Sequence, residues 1–193
     1  MIKRVAIVVL FSFGLIGCGG GSSESKAERS RVSANTDVAS VVQSGKYNLW
    51  EYMVPKDSHT NTYSIYSNNS QSKYQTSYNV KQNRVVEHDH YVLNEETVYE
   101  KYPNKIKVEF KKNNQPNGMY ELKLFADIGD RVTVRESSCK LSKHYDTFEL
   151  KGKKFNDVIE IVCGSQPGYY QRGVGEIAQI EDKGTKSIRV LAK

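Results

Sequence analysis

The sequence predicts an all-β domain built from antiparallel strands, and three observations support this prediction. Apolar and polar residues alternate with a period of two over long stretches, as in half-buried strands. Turn signals interrupt these stretches roughly every eight to twelve residues. No long stretch repeats its apolar residues every 3.6 positions, which argues against a βαβ unit. We therefore expect an antiparallel sheet closed as a sandwich, a barrel or a curved half-barrel.

The clearest alternation lies in two neighbouring segments near the middle of the chain. Charged residues alternate there with an apolar set, namely Ile106, Val108, Phe110, Tyr120, Leu122 and Leu124. Residues 113–118 (NNQPNG) separate the two segments, and Asn, Pro and Gly are the residues that turns use to reach positive or fixed φ. An antiparallel hairpin is the simplest connection between them.

Burial sets the register of this predicted hairpin. A slip of one residue would turn the whole apolar set towards solvent. We therefore expect Lys107, Glu109 and Lys123 to face solvent. Phe125 falls on the same side of the alternation as these polar side chains. We therefore expect it at a strand end, in an aromatic contact patch or in a second layer. Residues 47–54 are also predicted to form a strand.

Composition and charge narrow the functional classes. The chain has 193 residues, enough for one domain with its own core. The formal net charge is +6, but two of these charges, Lys3 and Arg4, belong to the extreme N-terminus. The other Lys and Arg residues are interspersed with Asp and Glu rather than clustered. We therefore expect no nucleic-acid partner.

The N-terminus has the three-part layout of a secretory signal. Lys3 and Arg4 form a positive region, residues 5–16 (VAIVVLFSFGLI) form an uncharged apolar run, and small residues follow. A helix of this length would extend only about 18 Å, whereas the hydrocarbon core of a bilayer is about 30 Å thick. We therefore expect residues 1–17 to be a signal peptide rather than a transmembrane helix.

The residues that end this run, Leu15-Ile16-Gly17-Cys18, resemble the lipobox of bacterial lipoproteins. The resemblance implies that Cys18 receives a diacylglyceryl group, that the chain is cut before it, and that the new amino terminus is acylated. Several acyl chains would hold the protein on a membrane. Gly19 follows the cysteine where enterobacterial members retained at the inner membrane have Asp, so the resemblance favours the outer membrane.

The predicted domain organisation follows from these features. Residues 18–44 begin with Gly19-Gly20-Gly21-Ser22-Ser23 and stay polar, which is the composition of a flexible tether behind a lipidated cysteine. Residues 45–193 carry the period-two alternation and are predicted to form a single antiparallel β domain.

Two further cysteines, Cys139 and Cys163, lie near or within predicted strands. An even pair in an exported domain is expected to form a disulfide. Closing a loop of this length would stabilise the domain by roughly 3 kcal/mol in the chain-entropy model. Catalytic pairs usually occur as Cys-x-x-Cys at a helix start, so we predict a structural role.

The remaining motifs do not predict a catalytic or metal site. His88 and His90 would share one face of a strand, but no third metal ligand is identifiable. The glycines of Gly173-Val174-Gly175 precede a predicted strand rather than a helix, so they indicate a bulge or close packing instead of a phosphate site. Neither Gly-x-Ser-x-Gly nor His-Glu-x-x-His occurs. We predict a non-enzymatic protein without a cofactor.

The C-terminal third carries a second resemblance. Residues 155–161 (FNDVIEI), followed by Tyr169-Tyr170-Gln171-Arg172-Gly173-Val174-Gly175, resemble the closing strands of uncharacterised β-rich envelope lipoproteins. The resemblance implies a strongly curved antiparallel sheet whose concave face could hold an apolar ligand. The long helical lid usual in lipoprotein-localisation half-barrels is missing from this sequence.

Two functions from different classes therefore stay open. The first is a membrane-anchored envelope protein with a binding or structural role towards a protein, peptidoglycan or polysaccharide partner, for which some of the thirteen tyrosines would be contact residues. The second is a carrier of a lipid or another apolar ligand. Exposed tyrosines in a flat patch would favour the first, and an apolar pocket of several hundred Å³ would favour the second.

Overall fold

The computed structural model describes residues 47–68, 70–90, 92, 94–182 and 186–192. The predicted signal peptide, Cys18 and the predicted tether lie outside the described residues. The elements are β1 Tyr47–Asn48, α1 Leu49–Met53, β2 His59–Ser67, β3 Ser70–Lys81, β4 Arg84–Asp89, β5 Glu95–Lys101, β6 Lys105–Lys112, β7 Gln115–Lys123, β8 Phe125–Ala126, β9 Arg131–Val134, β10 Ser137–Leu150, β11 Lys153–Cys163, β12 Gln166–Gln171, β13 Gly175–Asp182 and β14 Lys186–Leu191. The all-β prediction is confirmed.

Twelve of these strands form one antiparallel sheet in the order β7-β6-β5-β4-β3-β2-β14-β13-β12-β11-β10-β9. Most neighbours are consecutive in sequence, and the pairing of β2 with β14 joins the first and the last strand of this sheet. The sheet curves until its edge strands β7 and β9 approach each other, so it is nearly closed into a barrel. β1 and β8 pair separately.

The predicted central hairpin is formed by β6 and β7. Ile106 lies opposite Leu122, and Val108 lies opposite Tyr120. The turn is shorter than the sequence signal suggested, because Asn113 and Asn114 alone connect the strands and both have positive φ, as a two-residue turn of type I′ requires. Residues 115–118 already belong to β7.

The predicted inward and outward sides of this hairpin are confirmed. Within the predicted apolar set, Phe110 is half-buried and the other members are buried together in the main core. Lys123 is exposed, and Lys107 and Glu109 are partly exposed. Phe125 lies in the two-residue strand β8 and is 47% exposed, so its place is at a strand end.

The predicted strand over residues 47–54 is wrong, because α1 occupies most of it. Asn48 caps this helix, since its side-chain oxygen accepts a hydrogen bond of 3.2 Å from the backbone N–H of Trp50. Leu49 and Tyr52, one helical turn apart, are both fully buried. The helix forms because this spacing buries two large side chains against the sheet, which one face of a strand would not do. The described part of the chain has no helix with the length and apolar character of a bilayer-spanning segment.

Two apolar clusters lie on opposite faces of the sheet. The main core lies inside the curved sheet and includes Ile159, Ile161 and Tyr170. The second lies on the other face of the same strands, where the ring of Phe148 stacks on Tyr169 at 4.3 Å between centroids. The far end of the β10–β11 hairpin therefore covers the outer face of the sheet, and the inner face is left to form a cavity.

Candidate functional site

The inside of the sheet contains a cavity, called here the interior cavity. Its deep part has a volume of about 50 Å³, and Met53 of α1 contributes to its wall. A larger volume of about 370 Å³ adjoins it. Both parts are lined by Tyr74, Glu87, Thr97, Phe110, Arg135 and Arg189. The larger part extends to Glu95 and Lys111, near the ends of β5 and β6 farthest from α1, so the cavity has a narrow floor and a wider mouth.

Tyrosines dominate the deep part of the interior cavity. Those that line it are Tyr63, Tyr74, Tyr78, Tyr99, Tyr120 and Tyr170. Burial raises the pKa of every one of them, and that of Tyr74 rises to about 12. Their hydroxyl groups therefore stay protonated at neutral pH and act as hydrogen-bond donors.

Several of these hydroxyl groups are fixed by neighbouring acceptors. Tyr63 donates to the backbone carbonyl of Glu176 at 2.8 Å, and Tyr99 donates to Oε2 of Glu87 at 2.7 Å. Tyr74 donates to a carboxylate oxygen of Asp89 at 2.9 Å. The aromatic wall is therefore held in a defined orientation.

An arginine and a glutamate form an ion pair within this wall. Arg189 of β14 donates to Oε1 of Glu176 and, at 2.6 Å, to Oε1 of Gln179. Its guanidinium also lies over the rings of Tyr63 and Tyr74, at 5.5 and 5.4 Å from their centroids. The Nε atom of Arg189 is buried and has no hydrogen-bond partner among the described residues. One donor of the cavity wall is thus unsatisfied.

A second acid, Glu87 of β4, lines both parts of the interior cavity. Desolvation raises the pKa of Glu87, although the hydrogen bond from Tyr99 and the charge of Arg135 oppose this shift. The Glu87 carboxyl is therefore less ready to carry a negative charge than a solvent-exposed glutamate.

Arg135 supplies the second cation of the interior cavity. It forms the β9–β10 turn together with Glu136, and both residues have positive φ, 48° and 63°. Its guanidinium lies 3.9 Å from Oε2 of Glu176, and its side chain is 58% exposed. The charge of Glu176 raises the pKa of Arg135, which therefore stays fully cationic.

A separate polar cluster, called here the Asp157 cluster, connects α1 to the sheet. Asp157 accepts hydrogen bonds from Tyr52 at 2.5 Å and from Nε2 of His144 at 2.8 Å, and its other oxygen lies 2.7 Å from Nε of Arg172. Arg172 also donates to the Tyr52 hydroxyl and to Glu51. Desolvation opposes the shift, but these donors lower the pKa of Asp157. The cluster fastens the helix and provides no nucleophile or open cavity.

Cys139 and Cys163, the predicted disulfide pair, lie directly opposite each other on β10 and β11. Their sulfur atoms are 2.01 Å apart, which is disulfide distance, and their Cα atoms are 4.2 Å apart. They border the main core rather than the interior cavity. Cys18, the predicted lipidation site, falls outside the described residues.

The histidines do not converge on one site. His88 lies 3.4 Å from a carboxylate oxygen of Glu96, and His90 contacts the hydroxyl of Ser77 at 3.0 Å. His59 and His144 have partners elsewhere. Within the described ranges, no group of three or more His, Cys, Asp or Glu residues has a geometry that could hold a metal ion.

The glycines of the Gly173-Val174-Gly175 segment pack closely against α1. The N–H of Gly173 donates to the carbonyl of Glu51 at 2.6 Å, and its own carbonyl accepts from Lys56. A Cβ atom at Gly175 would lie 3.5 Å from the carbonyl oxygen of Met53, at a positive φ of 89°. This location agrees with the close packing that the sequence suggested.

Sequence reasoning missed the charged residues of the interior cavity, Glu87, Arg135, Glu176 and Arg189. Each is a charged residue on a strand or turn, and Arg189, for example, alternates with Ile188 and Val190, which is the local pattern of a solvent-facing side chain. The alternation of Tyr74, Thr76 and Tyr78 on β3 was the available signal, because three such residues on one face suggest a polar interior.

The chain matches no protein-family model, no curated protein and no solved structure. The geometry of the interior cavity is therefore the main guide to function.

Proposed function

We propose that this chain is an exported, lipid-anchored envelope protein whose β domain binds a saccharide unit of an envelope glycan in the interior cavity, without chemical conversion. One observation carries the proposal: tyrosine rings, two arginines and several carboxyl groups line a single cavity that widens towards one end of the sheet.

The chemistry of this lining suits a saccharide. A sugar ring has apolar C–H faces and a rim of hydroxyl groups that donate and accept hydrogen bonds. Tyrosine offers an apolar ring for the first and a hydroxyl for the second. The carboxyl of Glu87 adds an acceptor in a fixed position, and the exposed guanidinium of Arg135 adds donors. A small number of such polar groups gives a binding site its specificity.

The alternative, a carrier of a lipid or another apolar ligand, receives less support. An apolar ligand would remove water from Arg189 and Glu87 without replacing the hydrogen bonds of that water. Mutational data put the cost of such an unsatisfied group at about 1–3 kcal/mol. The tyrosines of the interior cavity also face inward, so they do not form the flat surface patch that a protein partner would favour.

The anchored location rests on the N-terminal sequence. Leu15-Ile16-Gly17-Cys18 resembles a lipobox, and Gly19 favours the outer membrane. The Cys139–Cys163 pair at disulfide distance fits an oxidising compartment.

Calorimetric titration of the purified chain with a panel of envelope saccharides tests the binding function. Thr97→Trp should abolish binding, because Thr97 lines both parts of the cavity and a large side chain would fill it. Glu109→Trp is the matched control, since Glu109 lies on the outward side of β6. Equal binding by both variants, or no binding by the unmodified chain to any saccharide of the panel, would contradict the proposal.

A further inference from the structure

We infer that the saccharide bound in the interior cavity carries a carboxylate, and that Arg135 is the residue that recognises it. This inference rests on the proposed function and specifies its ligand class.

The backbone at Arg135 is the first argument. Two-residue hairpin turns of type I′ favour Asn and Gly, because both central residues need positive φ. Arg135 and Glu136 occupy these positions with φ of 48° and 63°. A non-glycine side chain in this region is strained, and such strain persists at binding sites where a particular side chain is needed. The turn thus carries an arginine in a position where asparagine would be less strained.

The availability of the Arg135 guanidinium is the second argument. Its nearest acidic partner is Glu176, whose Oε2 lies 3.9 Å from the guanidinium and thus beyond hydrogen-bond distance. Glu176 is hydrogen-bonded to Arg189 instead. A guanidinium has five N–H donors and can bind a carboxylate through two parallel hydrogen bonds. Arg135 lines both parts of the cavity, so these donors are accessible to a ligand.

The arrangement of charges in the deep part is the third argument. Two guanidinium groups and two carboxyl groups line it, so the numbers of cations and acids are equal. Glu176 is hydrogen-bonded to Arg189, and Glu87 accepts a hydrogen bond from Tyr99. Arg135 is thus the cation without an acid at hydrogen-bond distance, and a ligand carboxylate beside it would take that position.

The acidic residues at the mouth each have a partner within the domain. Asp89 accepts hydrogen bonds from Tyr74 and from the backbone N–H of Val92. Glu95 pairs with Lys112 at 2.9 Å, and Glu96 lies 3.4 Å from His88. Lys111 adds a cation to the same rim.

The two volumes of the cavity also suit this ligand class. The deep part, about 50 Å³, accommodates a group the size of a carboxylate, whereas the outer part, about 370 Å³, has room for a sugar ring. Phe110 and Tyr74 line both parts and would contact the ring while its carboxylate reaches Arg135.

Paired saccharides test the inference on the full chain. Uronic acids are compared with the matching neutral hexoses, and N-acetylmuramic acid with N-acetylglucosamine, by calorimetric titration at low and high salt. We expect the acidic member of a pair to bind about tenfold or more tightly, because hydrogen bonds between a guanidinium and a carboxylate are roughly twice as strong as those between neutral groups. The difference should shrink at high salt.

Two variants assign the preference to Arg135. Arg135→Asn should weaken binding of the acidic sugar far more than binding of the neutral sugar, so that the acidic preference is lost, and Arg135→Lys should keep part of it. Asparagine tolerates positive φ, so the turn should form in that variant, and circular dichroism checks the fold.

The outcomes separate this inference from the proposed function. Equal binding of acidic and neutral sugars, with loss of both in Thr97→Trp, would overturn the carboxylate preference and keep the saccharide function. An acidic preference that survives in Arg135→Asn would overturn the role of Arg135. Free acetate that binds as tightly as the acidic sugars would show a small-anion site and overturn the saccharide class. Absence of binding by every saccharide would overturn both proposals.

Discussion

The hydroxyl of Tyr52 in α1 donates a hydrogen bond of 2.5 Å to Asp157 in β11, across 105 residues of sequence. Asp157 also accepts a hydrogen bond from His144 of β10 and pairs with Arg172, which directly follows β12, so one carboxylate connects the helix to two strands and to the end of a third. Asp157 itself has a positive φ of 52°, a conformation that Asp and Asn adopt more readily than most residues.

Asp157→Asn should destabilise the domain by about 1–2 kcal/mol at neutral pH, because charge-assisted hydrogen bonds are weakened while the backbone conformation is kept. Chemical denaturation measures this change. Asp146→Asn is the matched control. The carboxylate of Asp146 lies near the same histidine, but its oxygen is 4.0 Å from Nδ1 of His144, which is beyond hydrogen-bond distance.

The same carboxylate predicts a pH dependence. The pKa of Asp157 is lower in the folded state than its usual value of 3.8, so the charged form stabilises the fold above that value. This contribution should disappear as the pH falls through the lower folded-state pKa. Unfolding measured between pH 2 and pH 5 should show a steeper loss of stability in the unmodified chain than in Asp157→Asn, and equal slopes would contradict the prediction.

Arg135→Asn should stabilise the domain by about 1 kcal/mol, because asparagine is less strained at positive φ. Thermal unfolding without ligand measures the gain. Lys140→Asn, on an exposed position of the neighbouring strand β10, serves as a control and should have little effect. A destabilised Arg135→Asn variant would show that the arginine supports the fold.

Ile106→Ala should lower the free energy of unfolding by about 3 kcal/mol, because Ile106 is fully buried in the main core. Lys107→Ala, one position further along β6, should change it by less than about 0.5 kcal/mol. Comparable losses in the two variants would contradict the register.

Cys139 and Cys163 should be joined by a disulfide when the chain is produced in an oxidising compartment, and mass spectrometry without reducing agent checks this. Reduction, or Cys139→Ser with Cys163→Ser, should destabilise the domain by about 3 kcal/mol. Two free thiols in the exported protein would refute the prediction.

Cys18→Ser should release the domain from the membrane while leaving it folded, because the predicted tether separates the anchor from the β domain. Fractionation of the cell envelope and circular dichroism of the released protein are the measurements. Membrane retention of the variant would contradict lipidation at Cys18.

The sequence by itself determined the antiparallel class and the β6–β7 register. Period-two alternation is a local property, since neighbouring side chains of a strand point to opposite faces whatever the strand pairs with. Ile106 and Lys107 could therefore be assigned to opposite sides before the sheet was known. Residues 47–54 were assigned wrongly because their helix depends on burial against distant strands and on the Asn48 cap.

Only the tertiary structure decided which polar side chains face inward. Tyr63 and Glu176 meet although 113 residues separate them, and Arg135 reaches both parts of the cavity from a turn. A polar residue on a strand has the same local pattern whether its face meets solvent or a polar cavity. The difference arises from the curvature of the sheet, from α1 and from the β10–β11 hairpin, whose far end covers the outer face. All three depend on contacts between residues far apart in the chain.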